Sequence, residues 1–136
     1  MPKPSAPAAP HAPSKARFTW PAPRKPAALP AIPGAKVEIW HANSLGGYSF
    51  FDPSQSEYNL RRTIYADSEG RYTARSIIPS GYGVPAGAPT DVVLKSLGRH
   101  GERPAHIHYF VSAPGHQHLT TQINLAGDKY LWDDFA

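Results

Sequence analysis

Between Ala35 and Ala136 the apolar positions recur at strand spacing, in short bursts separated by turn residues. Val37-Glu38-Ile39-Trp40 alternates as a strand, Tyr48 to Phe51 reads as a short extended piece after the Leu45-Gly46-Gly47 turn, and Thr63-Ile64-Tyr65 reads as another strand. Arg71 to Ile78 alternates again, and Asp67-Ser68-Glu69-Gly70 before it is hairpin chemistry, with glycine where positive φ is needed. Pro79 to Pro89 is rich in glycine and proline and predicts a loop. Asp91 to Leu97 predicts one or two helical turns capped by Thr90. The segment 104–112 predicts a strand opened by Pro104, Ala113-Pro114-Gly115 a turn, and Leu119 to Leu125 a final strand. The sum is an all-β chain, a partial β-sandwich whose loops bear function. About five or six short strands do not close a sandwich, so the chain is expected to be cut at its C-terminal end.

One strand carries candidate chemistry. In an extended chain residues i and i+2 point the same way, so His106 and His108 in Pro104-Ala105-His106-Ile107-His108 aim two imidazoles at one point, with Phe110 on their face and Ile107, Tyr109 and Val111 on the other. Two imidazoles on a stiff element make half of a metal site. The chain has no cysteine, which removes thiolate zinc sites, iron–sulfur clusters and disulfides and leaves nitrogen and oxygen donors. The oxygens come either from carboxylates, with Asp128, Asp133 and Asp134 downstream, or from the phenols of seven tyrosines. A His, His, Asp set predicts a facial-triad Fe(II) oxygenase; phenolates predict a different metal and different chemistry.

Composition divides the 136 residues unevenly. Residues 1–35 hold ten of the sixteen prolines, five Lys or Arg and no acidic residue, so the formal charge of +4 originates there. The segment 1–34 reads as a disordered or polyproline-II-like basic tail, and residues 35–136 as the β-sandwich domain. Pro-x-x-Pro spacings such as Pro4 to Pro7 and Pro23 to Pro26 are of the kind that docks on aromatic grooves, but in a Pro/Ala-rich run they arise by chance. Without the tail, nine basic residues face ten acidic ones, which argues against a nucleic-acid-binding domain. No apolar run is long enough for a signal peptide or a bilayer span, so the expectation is a cytoplasmic protein that binds no membrane.

Four features join the histidine pair: Tyr48 after a glycine turn, Tyr82 within Gly81-Tyr82-Gly83, Arg103 just before the strand, and Gln122 in the next one. Each also has an ordinary explanation, as a packed aromatic, a surface cation or a cross-strand amide. The wording Val37-Glu38-Ile39-Trp40-His41-Ala42-Asn43, Gly47-Tyr48-Ser49, Asn59-Leu60-Arg61-Arg62, Gly70-Arg71-Tyr72, Pro79-Ser80-Gly81-Tyr82-Gly83, Leu97-Gly98-Arg99-His100-Gly101, Arg103-Pro104-Ala105-His106-Ile107-His108, Leu119-Thr120-Thr121-Gln122 and Asp133-Asp134-Phe135-Ala136 resembles, in order and spacing, the intradiol ring-cleavage dioxygenases.

The resemblance implies a non-haem Fe(III) site with Tyr48, Tyr82, His106 and His108 as ligands and a hydroxide beside them. It implies the insertion of both atoms of O2 into catechol to give cis,cis-muconate, within the catabolism of aromatic compounds. In that scheme Tyr82 is the axial tyrosinate that takes a substrate proton, Arg103 steadies the carbanion-like substrate, Gln122 supports the site and Phe135 lines the ring pocket. Hydroxyquinol and chlorocatechol are the alternative substrates, and a fragment without activity is the alternative outcome. Family members are homodimers through an N-terminal helical region that has no counterpart in this sequence, and the tail reads as a misread frame or fusion ahead of the family-like part. Of the other histidines, His41 is expected to be structural beside Trp40, His100 to lie in the loop before the site, and His116 and His118 to be turn or strand-face residues, with His11 in the tail; Asp128, Asp133 and Asp134 are expected to order a loop by hydrogen bonds.

Overall fold

The computed structural model describes residues 30–136; the expectations for the tail and for His11 lie outside the described residues, apart from the tail's last five positions. Six strands and one helix follow in chain order: β1 Lys36–His41, β2 Arg61–Tyr65, β3 Tyr82–Gly83, α1 Pro89–Ser96, β4 Glu102–Arg103, β5 His106–Ser112 and β6 Leu119–Asn124. A four-stranded antiparallel sheet runs β2-β1-β5-β6, and β3 pairs with β4 in a separate two-stranded ribbon.

The alternation in β1 and β5 decides which face is the core. Val37, Ile39, Ile107 and Tyr109 are buried on one side of the sheet, with Ile64, Tyr72, Ala74, Val111, Ile123 and Leu125 packed against them. That face leaves Trp40, His108 and Phe110 on the other, as the period of two requires. The register sets Trp40 opposite His108 on one side and Gln122 opposite His108 on the other.

Three local expectations are corrected. Tyr48 to Phe51 is a turn, not an extended piece: the amides of Phe51 and Asp52 both donate to the Tyr48 carbonyl, at 3.0 and 2.9 Å. Arg71 to Ile78 keeps an alternating burial pattern but joins no ladder, so the expected hairpin reduces to its turn. Tyr72 and Ala74 nevertheless cover the sheet's apolar face, which is why the pattern looks like a strand: one-sided burial imposes the alternation without a hydrogen-bonded neighbour. The turn itself forms as read, with Gly70 at φ +71° and the Gly70 amide donating to the Asp67 carbonyl. The helix begins at Pro89, with Ala88 as a cap that offers no side-chain hydrogen bond; Asp91 instead accepts the Gly87 amide at 2.7 Å.

Residues 30–34 are attached to this sheet. The Gly34 amide donates to the Ala66 carbonyl at 3.1 Å, and Ala31 lies against Gly70. Among the described residues no helix is long and apolar enough to cross a membrane.

Candidate metal centre

β5 delivers the two imidazoles. His106 is 2 % exposed, and its Nδ1 lies 2.6 Å from the Pro104 carbonyl, an acceptor only. Nδ1 therefore carries the ring proton and Nε2 presents a lone pair, the arrangement in which a backbone carbonyl fixes a ligating histidine. His108 Nε2 lies 3.0 Å from that lone pair. Burial, followed by the neighbouring His106, lowers the His108 pKa to about 4, and burial also holds His106 below its ordinary value. Both rings are neutral at pH 7, the form that binds metal.

The tyrosines arrive from a turn and from the short strand β3. Tyr48 Oη is 3.1 Å from His108 Nε2, and the Tyr48 and Tyr82 rings meet edge to face with centroids 5.1 Å apart. Tyr82 stands in β3, whose pairing with β4 sets it opposite Arg103. Gly81 and Gly46 permit this approach, since a Cβ on Gly81 would lie 2.5 Å from the Arg103 carbonyl and one on Gly46 would lie 2.9 Å from the Gly81 carbonyl. Arg103 Nη1 points at both Tyr82 Oη and His106 Nε2, at 3.4 Å each.

Two observations test whether these residues fit a metal ion. Donors held about 2.1 Å from one ion at right angles lie about 3.0 Å apart, and the His106–His108 and Tyr48–His108 contacts are 3.0 and 3.1 Å. Burial, then the adjacent Tyr82, pushes the Tyr48 phenol well above its ordinary pKa, so a phenolate there requires a cation close by to offset its desolvation. The donor set fits a hard, highly charged ion. Among the described residues no group of three His, Cys, Asp or Glu side chains is arranged to hold a metal, which removes the facial-triad alternative: the carboxylates are engaged elsewhere. Asp128 accepts the Ala105 and Tyr130 amides, Asp133 accepts from Arg99 and His100, and Asp134 accepts from Arg103.

A cavity of about 440 Å3 opens beside these donors, lined by Trp40, Tyr48, Phe50, Phe51, Arg61, Tyr82 and His108. Phe135 does not line it; its ring lies 5.8 Å from the Arg103 guanidinium carbon. Gln122 accepts from Arg103 Nη2 at 2.9 Å. A larger cavity of about 610 Å3 between β2 and residues 73–77 contains none of the four donors. His41 is structural, its Nδ1 bonded to the Ala42 carbonyl and its Nε2 to Ser76 Oγ. His100 meets Asp133, His116 the Pro114 carbonyl and His118 the Phe110 ring.

One contributor escapes the sequence reading. The Trp40 indole stacks on His108 with centroids 4.7 Å apart and planes 7° from parallel, which restrains an imidazole whose Nδ1 has no backbone clamp among the described residues. Trp40 lies on the polar face of β1 by alternation, and only the β1–β5 register reveals what it covers.

An antiparallel all-β scaffold gathers Tyr48 and Tyr82 around the neutral imidazoles of His106 and His108, the arrangement of a candidate mononuclear site with oxygen and nitrogen donors. A family model described as Dioxygenase matches residues 27–136, and the chain belongs to that family, the intradiol ring-cleaving dioxygenases. It is 84% identical over 105 residues to catechol 1,2-dioxygenase from Pseudomonas sp. (strain EST1001), covering 77% of this chain and 35% of that protein. It is 66% identical over 105 residues to catechol 1,2-dioxygenase from Acinetobacter guillouiae, covering 77% and 34%. The crystal structure of catechol 1,2-dioxygenase from Pseudomonas arvilla C-1 superposes with a TM-score of 0.74 at 65% identity, over 78% of this chain and 34% of that one. The chain spans about a third of the length of the curated relatives it matches.

Proposed function

We propose that Tyr48, Tyr82, His106 and His108 hold one Fe(III) and that the chain carries the centre of an intradiol dioxygenase acting on catechol, in the cytoplasm, to give cis,cis-muconate. The observation that supports this most is that the Tyr48 oxygen and the two imidazole nitrogens stand at cis-ligand spacing, with the Tyr82 ring packed against both Tyr48 and His106. Anionic oxygen donors favour a hard ferric ion over softer or divalent choices. Held by these four residues, that ion would supply Lewis acidity, the property that makes a catechol ring carbon reactive toward dioxygen.

The chain's own groups supply the remainder. His106, locked as the Nδ1-protonated tautomer, offers its Nε2 lone pair without a proton to lose. Tyr82 Oη receives one catechol proton, and the adjacent Arg103 Nη1 is a permanent positive charge facing the place where negative charge develops on the substrate. Phe50 and Phe51 give the cavity apolar walls suited to an aromatic ring. The test is turnover under 18O2 by the ferric-loaded chain. Both labelled atoms in muconate, with catechol and dioxygen consumed one to one, is the expected result; oxidation of catechol without oxygen insertion overturns the proposal, and iron binding without oxygen uptake assigns the chain to the inactive reading.

A further inference from the structure

Arg103 is 9% exposed, and every guanidinium nitrogen is engaged. Nε donates to Asp134 Oδ1 at 3.0 Å, while Nη2 donates to Asp134 Oδ2 and to Gln122 Oε1, both at 2.9 Å. Nη1 alone is left for the centre, 3.4 Å from Tyr82 Oη and from His106 Nε2. Asp134 is itself enclosed, its side chain 10% exposed, with the Ala136 amide on Oδ1 and Gln122 Nε2 at 3.5 Å from Oδ2. The pair joins β4 to the last residues of the chain.

A two-point fork between carboxylate and guanidinium fixes the plane of the arginine head, which a single neutral acceptor such as Gln122 does not. Once Nε and Nη2 are held, the direction of Nη1 follows. The 3.4 Å spacing to Tyr82 is also longer than the roughly 2.8 Å a free guanidinium would choose against a phenolate. The carboxylate thus keeps the cation near Tyr82 without letting it close on the oxygen that has to receive a proton. A buried ion pair contributes little net stability compared with apolar packing, so its place beside the centre points to orientation.

We propose that Asp134 is a positioning residue: its fork on Arg103 aims Nη1 at the substrate side of the four-donor centre and holds the guanidinium off Tyr82. This rests on the reading of the centre given under Proposed function, and the first measurement below is independent of that reading.

The experiment compares the wild-type 136-residue chain with Asp134→Asn and Asp134→Glu. In the metal-free proteins, hydrogen exchange of the Arg103 Nε–H is followed by NMR, with Arg103→Lys to assign the signal and thermal unfolding to verify the fold. Exchange roughly tenfold or more faster in Asp134→Asn, with partial slowing restored in Asp134→Glu, is expected from the loss of a charge-assisted fork. Should Asp134→Asn fail to fold, the Glu variant, which keeps the charge and displaces the fork, carries the comparison. Equal protection in the folded variant overturns the proposal, because Gln122 or packing would then hold the arginine. In the ferric-loaded proteins, catechol turnover is expected to fall roughly tenfold to a hundredfold in kcat, with KM within about threefold; loss of Nε–H protection with unchanged kcat also overturns it. A wild-type chain that binds no iron sinks the reading of the centre, while the Nε–H comparison still decides whether Asp134 orients Arg103.

Discussion

Gly81→Ala adds one methyl group at the point where the centre is tightest. The new Cβ would lie 2.5 Å from the Arg103 carbonyl oxygen and 3.3 Å from both the Ala105 nitrogen and Asp128 Oδ2, whereas ordinary contact begins at 3.4 Å. About 0.9 Å must be found, and dispersion gives way to steep repulsion over such a distance. The obstructing oxygen belongs to the main chain of β4, one residue before Pro104 and three before His106, so it cannot rotate aside. β3 has to retreat instead, and Tyr82 retreats with it from donors that are set 3.0 to 3.1 Å apart. Forced overpacking of this kind costs about 1–3 kcal/mol, which for an ordered region of roughly 100 residues lowers the unfolding midpoint by about 5–20 °C. Gly101→Ala is the control, since its Cβ also meets an atom at 2.5 Å, but that atom is the Val84 Cγ2 methyl and the next contacts are at 3.8 Å. A rotamer change of Val84 relieves it for about 0.5–1.5 kcal/mol. The assay is thermal unfolding of the metal-free proteins, followed by ferric titration with visible absorption. Expected are a lower midpoint and weakened tyrosinate-to-iron absorption for Gly81→Ala, and for Gly101→Ala a smaller fall in midpoint, by about 2–12 °C, with the absorption unchanged. A Gly81→Ala protein as stable as wild type, with its absorption intact, refutes the packing of β3 against β4 on which the position of Tyr82 depends.

Trp40 stacks on a proposed ligand, so ferric loading is expected to quench tryptophan emission, and Trp40→Leu to remove most of the quenching; quenching that survives the substitution contradicts the placement. Ser76→Ala leaves His41 Nε2 buried without its 2.6 Å partner and is expected to destabilise the chain by about 1–3 kcal/mol in urea unfolding without changing iron affinity. Burial holds His41, His106 and His108 below their ordinary pKa, the last at about 4. Below about pH 6.5 the unfolded chain therefore binds protons that the folded chain refuses, and metal-free stability, fully present above that pH, is expected to decline as the pH falls toward about 4. A midpoint that is flat from pH 7 to 5 contradicts that sign.

The parts legible in the sequence are those where one residue's surroundings follow from its own strand. Period two on β5 separates His106 and His108 from Ile107 and Tyr109, and the structure keeps that division. Tyr82 between its glycines and Tyr48 after a glycine turn stand out in the sequence, and β3–β4 pairing and the Tyr48 turn are how the chain brings both rings to the histidines of β5. What the sequence could not show depends on register and on contacts distant along the chain. Trp40 reaches His108 only because β1 and β5 align those positions. Asp134 was one of three similar carboxylates, and nothing local distinguishes the one that meets Arg103 from those that hold amides or His100. The expected strand at Arg71 to Ile78 failed because alternation reports one-sided burial, which Tyr72 and Ala74 provide, and carries no information about a hydrogen-bonding neighbour.

The central claim is that two phenolic oxygens and two imidazole nitrogens of this chain share one ferric ion. The most direct test loads the wild-type chain, Tyr48→Phe and Tyr82→Phe with Fe(III), records the visible spectrum, and then adds catechol under strict exclusion of oxygen. The account predicts one iron per chain, a red-brown charge-transfer band weakened by either substitution, and a shift of that band when catechol binds. A colourless iron complex, or a band indifferent to both tyrosines, would contradict it.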